Sequence, residues 1–367
     1  MRSPVQTHSP LKLLLLSTSV GAIGTGLGGG VELTLRNLAQ ALRLQGHAVT
    51  VVAPAGSVLD LAEVAIVQIP GELQPTAQTQ GRQAAIELPP DSVLANMWDY
   101  ARQVQAEFDL LINFAYDWLP FYLTPFFTRP IAHLVSMGSL TEGMDRAIEQ
   151  VALNFPGSIG VHSRAQAQTF AFADRCCILG NGLDLSLYEF CAQPEDSLAW
   201  VGRIAPEKGL EDAIAAAAKV NLPLKVMGVM QDTDYWQQLQ QAFPDAPVTY
   251  AGFLSTAQLQ QVLGRCRGLL MTPRWVEAFG NVAIEALACG VPVIAYCRGG
   301  PAEIVRDGKT GWLVEPDSVN GLTAAIANLD AIDRRTCRQQ AEAEYSLEAM
   351  GDRVVAWLQD ILTSVPI

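Results

Sequence analysis

Residues 11–54 read LKLLLLSTSVGAIGTGLGGGVELTLRNLAQALRLQGHAVTVVAP, and this stretch decides the fold class. Leu13–Ser17 opens with four leucines in a row, which predicts a buried strand. Apolar residues then recur at helical spacing, at Val31, Leu35, Leu38 and Leu42. Gly46 stands where a glycine commonly ends a helix, and Val49–Ala53 is a second apolar run. This order predicts a βαβ unit with parallel strands.

The same alternation of strand-like runs and helical patterns continues along the whole chain. Further strands of the first half are predicted at Ala65–Ile69, Leu110–Phe114, Ile131–Val135 and Ser158–Val161. The polar stretch Cys191–Ser197 contains Pro194 and is typical of a linker. After it, strands are predicted at Leu198–Val201, Leu224–Met227, Val248–Tyr250, Gly268–Met271 and Val291–Tyr296. An alanine-rich helix is predicted over Gly209–Val220.

We therefore predict an α/β protein with two Rossmann-like, doubly wound parallel-sheet domains, residues 1–190 and residues 191–367. The two sheets are expected to face a central cleft at the carboxyl ends of their strands, where ligands of such sheets bind. The last segment, Arg334–Thr363, is predicted as one long helical stretch that can pack back on the first domain.

Composition excludes several classes of function. The chain has 367 residues, half of them apolar, and a net charge of −13. Lys12 is the only lysine before Lys208, so a nucleic-acid groove or an anionic-membrane patch is disfavoured. No apolar run approaches the ~18 residues that a transmembrane helix needs. Seven cysteines without a C-x-x-C pair favour reduced thiols and a cytoplasmic protein. The oligomeric state is left open.

The glycine-rich loop, residues 24–30, follows the first predicted strand. Gly24, Gly26 and Gly29 satisfy G-x-G-x-x-G, a dinucleotide-binding pattern. An NAD site also needs an acidic residue at the end of the second strand, but that strand ends in Val52-Ala53-Pro54. Two interpretations of the loop are left. Its backbone either comes close to an anionic ligand or forms a turn that only permits tight packing.

Two cations stand where the second half begins its first strand-to-helix turn. Arg203 and Lys208 follow the strand Leu198–Val201 in a chain that is otherwise poor in lysine. Their positions suit a diphosphate, which would receive charge-assisted hydrogen bonds. The alternative is an ordinary solvated loop.

A second group surrounds the start of a predicted helix. Glu277, Phe279, Gly280 and Asn281 precede or open this helix, and Glu285 lies in its second turn. Backbone N–H groups at a helix start can bind a phosphate, and the flanking carboxylates can accept hydrogen bonds from sugar hydroxyls. Two surface glutamates are the alternative, although the helix is otherwise apolar. The loop Gly299–Glu303, after the next strand, is expected at the same cleft.

At these residues the sequence resembles the retaining glycosyltransferases of family 4, which have the GT-B architecture of two Rossmann domains. The resemblance covers nearly the whole chain. The motifs that carry it are Gly28-Gly29-Gly30-Val31-Glu32, Asn181-Gly182-Leu183-Asp184, Val201-Gly202-Arg203 with Glu207-Lys208-Gly209, Glu277 with Glu285, and Gly299-Gly300 with Glu303.

The resemblance implies roles for the residues that bind a nucleotide-sugar donor. Arg203 and Lys208 would hold the diphosphate, Glu285 the ribose hydroxyls and Glu277 the transferred sugar, which makes Arg203, Lys208 and Glu277 the catalytic candidates. The backbone amides of Phe279, Gly280 and Asn281 would contact sugar and phosphate, with Gly29 and Gly30 closing over them. The leaving diphosphate would take the acceptor's proton, so the resemblance implies neither a protein nucleophile nor an essential metal or other cofactor.

The sequence departs from the family pattern at a histidine that many relatives carry after the strand Ile131–Val135. By register Ser136 occupies that place, and His133 lies three residues earlier. His133 is interpreted either as part of the acceptor site or as a core histidine. A D-x-D pattern, Asp232-Thr233-Asp234, resembles a metal motif but is expected to cap a helix.

The acceptor is expected to bind to the first domain, where aromatic residues are concentrated. The seven aromatic residues between positions 114 and 127 are Phe114, Tyr116, Trp118, Phe121, Tyr122, Phe126 and Phe127. They could form a stacking wall for a flat acceptor, with Asn113, Tyr116 and Asp117 around it. The alternatives are core packing and contact with a membrane.

The opening segment Leu16–Leu35 resembles a narrower group, the cyanobacterial UDP-glucose:tetrahydrobiopterin glucosyltransferases. That resemblance implies glucose transfer from UDP-glucose to a small acceptor, tetrahydrobiopterin. One alternative is a glycosyltransferase of glycolipid or exopolysaccharide synthesis at the membrane surface. Another is a protein that binds a nucleotide-sugar without catalysis.

Overall fold

The structure, a computed structural model, describes residues 9–25, 29–79 and 81–364. The chain divides into two compact units, and the division is discontinuous. Residues up to Val161, with Phe170–Leu179 and the segment from Met350 onward, form the first unit. His162–Thr169 and Gly180–Ala349 form the second. The predicted boundary near residue 190 lies inside this second unit.

The first unit is built on a seven-stranded parallel sheet. Its strands are β1 (Lys12–Leu16), β2 (Ala48–Pro54), β3 (Ala65–Ile69), β4 (Leu110–Asn113), β5 (Ile131–Val135), β6 (Ile159–Val161) and β7 (Cys177–Ile178). Their order across the sheet is β3-β2-β1-β4-β5-β6-β7. The winding therefore reverses between β1 and β4, and the glycine-rich loop leaves the sheet at this point.

Helices flank this sheet, and both of its faces are buried. The helices are α1 (Gly29–Leu44), α2 (Val93–Val104), α3 (Trp118–Leu123) and α4 (Glu142–Asn154). Leu13 and Leu15 of β1 belong to a core cluster with α1, whereas Leu14 and Leu16 belong to one with α2. All four leucines are fully buried. Burial on both faces explains why β1 is an uninterrupted apolar run.

The second unit repeats the pattern with six parallel strands. They are β8 (Leu198–Val201), β9 (Leu224–Met227), β10 (Val248–Gly252), β11 (Gly268–Met271), β12 (Val293–Tyr296) and β13 (Gly311–Val314). Their order is β10-β9-β8-β11-β12-β13, so the winding reverses between β8 and β11.

Eight helices of the second unit are described. They are α5 (Arg164–Ala167), α6 (Leu210–Val220), α7 (Thr233–Ala242), α8 (Thr256–Gly264), α9 (Asn281–Ala288), α10 (Pro301–Ile304), α11 (Val319–Ala327) and α12 (Arg334–Glu344). Asp232 caps α7 as predicted, because its Oδ1 accepts a hydrogen bond from Tyr235 N at 2.8 Å.

The prediction of one long helix over Arg334–Thr363 is wrong. The chain breaks after α12 and resumes as α13 (Leu347–Ser364). At the break, Tyr345 O accepts a hydrogen bond from Leu183 N at 2.8 Å, and Ser346 Oγ accepts one from Ala349 N at 3.2 Å. The break leaves α12 in the second unit and most of α13 in the first unit, where its apolar face joins the core cluster of β1 and α1.

Two strands were missed from the sequence. β7 has only two residues, and β13 is a half-buried strand that begins with a glycine. A Cβ on Gly311 would lie 1.8 Å from the carbonyl oxygen of Val293, so this position requires a glycine. Each segment contains a short apolar run, Cys176–Leu179 and Trp312–Val314, so the sequence did carry a signal for both strands. Among the helices within residues 9–25, 29–79 and 81–364, none is long and apolar enough to span a lipid bilayer.

Candidate functional site

The candidate site is at the carboxyl ends of β8 and β11, where the winding of the second sheet reverses. Ligands of doubly wound sheets bind at such a point. The loop after β8 and the loop after β11 are tied together here. Arg274 N donates to Glu207 O at 2.9 Å, and Thr272 Oγ1 donates to Gly209 O at 2.7 Å. Gly209 has a φ of +64°, and a Cβ on it would lie 2.1 Å from Thr272 O, so only glycine permits this approach.

Lys208 and Glu277 form an ion pair between these two loops. Lys208 Nζ donates to Glu277 Oε2, and the same oxygen accepts a hydrogen bond from Trp275 Nε1 at 3.1 Å. The ammonium also lies 4.9 Å from the centroid of the Trp275 ring, a cation–π distance. Each charged side chain is 18% exposed, so the pair is largely shielded from solvent.

Glu277 is an anion at neutral pH despite this burial. Burial favours its protonated form, but the charge of Lys208 and hydrogen bonds from Lys208 and Trp275 outweigh that effect. The pKa of Glu277 is consequently held below its usual value. The charge of Arg203 acts in the same direction.

Arg203 extends from the loop directly after β8. Its Nη2 donates to Glu207 Oε1 at 2.9 Å, and its Nη1 contacts Gln231 Oε1. Both predicted phosphate-binding cations, Arg203 and Lys208, therefore have a carboxylate partner in this structure. An incoming anion would compete with Glu207 and Glu277 for these cations.

The Gly299–Gly300 pair, after β12, packs against the backbone of the loop that carries Glu277. Gly300 N donates to Glu277 O at 2.7 Å. A Cβ on Gly299 would lie 2.6 Å from Glu277 N, and one on Gly300 would lie 2.4 Å from the Cα of Phe279. The two glycines are required for this close packing, and they hold the position of Glu277.

The N-terminus of α9 lies at the end of the same loop. Gly280 precedes the helix with a φ of +95° and a Cβ on it would lie 2.9 Å from Pro301 Cγ, so a glycine is needed here. Asn281, the first residue of α9, accepts a hydrogen bond through Oδ1 from Asn181 Nδ2 at 2.7 Å. The Asn-Gly-Leu-Asp motif therefore supports the start of this helix. The positive end of the helix dipole favours an anion at this position.

Glu285 lies one turn further along α9 and is buried, with only 5% of its surface exposed. Its Oε1 accepts a hydrogen bond from the hydroxyl of Tyr188 at 3.0 Å. Burial raises the pKa of Glu285 to about 7, although the hydrogen bond from Tyr188 acts in the opposite direction. The two predicted carboxylates thus have different environments: Glu277 has a cation beside it, and Glu285 has a neutral phenol.

Glu303 has a structural contact that the sequence did not predict. Its carboxylate accepts hydrogen bonds from Arg164 N at 3.1 Å and Ala165 N at 2.6 Å, at the start of α5. In the same segment, Ser163 Oγ donates to Ala278 O at 2.5 Å. Residues 162–169 are thereby attached to the loop between Glu277 and Phe279.

The glycine-rich loop of the first unit is described only in part. Gly26 and Gly28 lie outside the described residues, whereas Gly29 and Gly30 are the exposed first residues of α1. Glu32, in the first turn of that helix, accepts a hydrogen bond through Oε1 from Gly24 N at 2.5 Å. This contact joins Gly24 to the first turn of α1.

His133 is fully buried in β5. One ring nitrogen lies 2.9 Å from Thr124 Oγ1, and the other lies 3.2 Å from Asn113 Nδ2. The ring stacks on Phe121 with 4.4 Å between centroids. Burial lowers the pKa of His133 to about 3, so the ring is neutral at physiological pH. A direct contact with an acceptor would require the ring to move.

The other predicted acceptor residues differ in how the protein holds them. Asn113 is buried and bonded to the backbone of Ala115 through both its amide atoms. Tyr116 accepts a hydrogen bond from Leu140 N at 3.2 Å, and burial raises its pKa to about 12. Asp117 caps α3, and burial raises its pKa. Ser136, directly after β5, is half-buried.

The aromatic cluster divides into a buried part and an exposed part. Phe114 and Phe121 belong to the core. Trp118, Tyr122 and Phe126 instead form an aromatic row along α3 and the turn after it. The Trp118 and Tyr122 rings stack with 4.4 Å between centroids, and Tyr122 lies 5.7 Å from Phe126. Tyr122 is 51% exposed and Phe126 is 62% exposed.

Tyr188 and Trp275 are site residues that the sequence analysis missed. Trp275 lies two residues before Glu277, so its proximity could have indicated a role. Tyr188 lies in a loop without periodicity and meets Glu285 across 97 positions, and no signal in the sequence indicates this contact. Within the described part of the chain, no group of three or more His, Cys, Asp and Glu side chains is placed to hold a metal ion.

A known protein family matches the part of the chain that contains the candidate site. Residues 192–345 match the family of glycosyl transferases group 1. The matched segment covers less than half of the chain. It contains β8–β13 and every second-unit residue that was predicted to bind a donor.

Curated relatives match over part of the chain. Glycogen synthase of Mycobacterium tuberculosis is 32% identical over 163 residues, which are 41% of this chain and 39% of that protein. D-inositol 3-phosphate glycosyltransferase of Mycobacterium avium is 36% identical over 148 residues, which are 37% of this chain and 33% of that protein. The chain thus spans well under half the length of these relatives.

Solved structures match over nearly the whole chain. HepE of Anabaena, in complex with UDP and glucose, has a TM-score of 0.75 and 20% identity, and the match covers 95% of this chain and 99% of HepE. Sucrose-phosphate synthase of Thermosynechococcus elongatus has a TM-score of 0.78 and 20% identity, over 97% of this chain and all of that chain. At this identity the likeness shows the fold. The predicted fold class, GT-B with two Rossmann-like parallel-sheet domains, is confirmed.

Proposed function

We propose that the protein is a retaining glycosyltransferase that transfers glucose from UDP-glucose to a small acceptor. The observation that carries this proposal is the shielded Lys208–Glu277 pair at the switch point of the second sheet, beside the N-terminus of α9. Phosphate and sugar require cations, helix amides and carboxylates, and all three kinds of group converge here. The match of residues 192–345 to glycosyl transferases supports the same conclusion.

UDP-glucose is proposed as the donor because HepE, which shares the fold, binds UDP and glucose. In this proposal Arg203 and Lys208 hold the diphosphate, and Glu285 accepts hydrogen bonds from the ribose. Glu277 accepts hydrogen bonds from the glucose hydroxyls. The backbone amides of Phe279, Gly280 and Asn281 contact sugar and phosphate.

The chemistry follows from charge placement. Negative charge grows on the diphosphate as the bond to glucose breaks, and Lys208 and Arg203 stabilise that charge. The diphosphate oxygen then takes the proton of the acceptor, which attacks on the same face, so the configuration is retained. Glu277 is ionised before the donor binds, because the charge of Lys208 and the hydrogen bonds from Lys208 and Trp275 outweigh the effect of burial on its pKa. We propose that these two cations provide the charge neutralisation that a metal supplies in other enzymes.

We propose tetrahydrobiopterin as the acceptor. The resemblance of Leu16–Leu35 to pterin glucosyltransferases supports this choice, and the exposed aromatic row offers rings on which a flat pterin could stack. Asp117 caps the helix that carries this row, so its carboxyl group is adjacent to Trp118.

The first test is UDP release from UDP-glucose by the purified protein, with and without tetrahydrobiopterin and with EDTA in parallel. Release that depends on the pterin and survives EDTA is expected. Slow release that ignores the pterin would refute this acceptor and direct the search to glycolipid or saccharide acceptors. Tight UDP binding without turnover on any acceptor would instead indicate a nucleotide-sugar binding protein.

A further inference from the structure

Tyr188 is the one side chain seen to donate a hydrogen bond to the buried carboxylate of Glu285 within the described residues. The phenol hydroxyl lies 3.0 Å from Glu285 Oε1. Tyr188 is 3% exposed and Glu285 is 5% exposed, so water is largely excluded from this contact. Tyr188 lies in the segment after the Asn-Gly-Leu-Asp motif, outside the loops that carry the other candidate residues.

The backbone of Tyr188 is fixed relative to α9. Arg338 Nη1 on α12 donates to Tyr188 O at 2.8 Å and to Ala288 O at 2.7 Å. Ala288 is the last residue of α9, so a single guanidinium ties Tyr188 to the helix that carries Glu285. Next to Tyr188, Glu189 N donates to Gln260 Oε1 of α8 at 3.2 Å. The backbone that carries the phenol is therefore held by two other helices, α12 and α8.

Few titratable groups surround Glu285. Besides Tyr188, Cys289, which directly follows α9, lies within electrostatic range of Glu285. Arg334 and Arg338 of α12 are near Cys289, and both donate to backbone carbonyl oxygens, Arg334 to those of Cys191, Cys266 and Gly264. Asp184 faces Tyr188 from the preceding turn. Burial raises the pKa of Glu285, and the hydrogen bond from Tyr188 acts in the opposite direction.

We propose that Tyr188 is a positioning residue, which holds the Glu285 carboxylate in place as a hydrogen-bond acceptor for the ribose hydroxyls of the donor nucleotide. The inference rests on the proposed function, in which Glu285 binds the ribose. The phenol occupies one carboxylate oxygen and fixes the plane of the group, so the remaining acceptor sites keep a constant direction. Because a hydrogen bond to the charged form favours that form, the hydroxyl also keeps Glu285 ionised at a lower pH than burial alone would allow.

The test compares Y188F with Y235F. Y188F removes one oxygen atom and keeps the ring. Tyr235 of α7 is also nearly buried and also donates to a carboxylate, that of Glu211, which is not among the proposed donor-binding residues. Y235F therefore makes the same chemical change as a control. Two quantities are measured for each protein: the pKa of Glu285 by carboxyl ¹³C NMR, with the signal assigned through E285Q, and the affinity for UDP by calorimetry between pH 6 and pH 9.

In Y188F we expect the pKa of Glu285 to rise by about one unit, since a charged hydrogen bond is lost. The affinity for UDP should fall about tenfold at pH 7 and recover in part near pH 9, where Glu285 is ionised again. Y235F should match the wild-type protein in both measurements. A variant that was merely damaged would lose affinity equally at every pH.

An unchanged pKa of Glu285 in Y188F, a loss of UDP affinity that is the same at pH 7 and pH 9, or an equal effect of Y235F would each overturn the inference. A wild-type protein that binds no UDP at any pH would overturn the proposed function instead. The two failures are therefore distinguishable.

Discussion

Lys208 and Glu277, which are 69 positions apart in the sequence, form an ion pair across two loops of the second sheet. Trp275 contributes to both partners: its indole N–H donates to the carboxylate, and its ring lies under the ammonium. A cation that is positioned in advance by a carboxylate and a ring loses little conformational entropy when a phosphate displaces the carboxylate.

K208A is expected to lower the rate of donor use by about ten- to a hundredfold, because a charged hydrogen bond to the diphosphate is lost. The measurement is kcat/KM for UDP-glucose. K219A is the matched control. Lys219 lies on α6, and its ammonium donates a hydrogen bond to the side chain of Asn320. Activity of K208A equal to that of K219A would refute the assignment of Lys208.

E285Q is expected to stabilise the folded protein more at pH 8 than at pH 5. The pKa of Glu285 rises from 4.5 to about 7 on folding. Between these values the folded state retains a proton that the unfolded state has released, so the free energy of unfolding decreases as pH rises. The loss is on the order of 3 kcal/mol above pH 7, and glutamine, which does not titrate, avoids it.

Thermal unfolding of E285Q and of the wild-type protein at pH 5 and at pH 8 tests this prediction of stability. E315Q, at an exposed glutamate of the same unit, serves as the control. A difference in Tm between E285Q and wild type that does not change with pH would contradict the raised pKa. We also expect E285Q to weaken UDP binding, so stability and function should change in opposite directions.

The position of the site could be predicted from the sequence for a physical reason. Parallel strands end at one edge of a sheet, so residues that directly follow β8, β11 and β12 had to lie near each other. Lys208, Glu277 and Gly299 are such residues, and the structure brings their loops together. The apolar run of β1 was equally informative because burial on both faces leaves no polar positions in the strand.

Other contacts could not be predicted because they depend on tertiary packing. Tyr188 and Glu285 meet only because α12 holds the loop of Tyr188 against α9. The break between α12 and α13 has a similar cause: Tyr345 bonds to Leu183 across the fold, while the helical pattern in the sequence runs on. For His133, both faces of β5 are covered, so the strand pattern did not show whether the ring points to a ligand or to the core.

E303A is expected to reduce stability by about 1 kcal/mol, because the carboxylate of Glu303 caps the start of α5. Chemical denaturation measures this loss, and E315A provides the control. The effect on KM for UDP-glucose should be small relative to that of K208A, since Glu303 bonds to protein backbone. A large effect on KM together with unchanged stability would mean that Glu303 binds the ligand instead.

His133 should remain neutral down to about pH 4, since burial lowers its pKa to about 3. The ¹⁵N chemical shifts of its ring should therefore not change between pH 8 and pH 5. In the unfolded chain the ring takes up a proton near pH 6.5, so this residue makes the protein less stable as pH falls from 6.5 towards 3. A ring that titrates near pH 6.5 in the folded protein would show that His133 is accessible and could take part in the reaction.

Y122A is expected to raise KM for the acceptor several-fold and to leave UDP affinity unchanged. Tyr122 is half exposed and stacks on Trp118, and aromatic stacking contributes about 0.5–1.5 kcal/mol beyond the area that it buries. F253A removes an aromatic ring with similar exposure from the second unit and is the matched control. Equal acceptor KM values for Y122A and F253A would exclude the aromatic row from acceptor binding. A loss of vesicle binding in Y122A, with pterin kinetics unaffected, would instead identify the row as a membrane contact and favour a lipid acceptor.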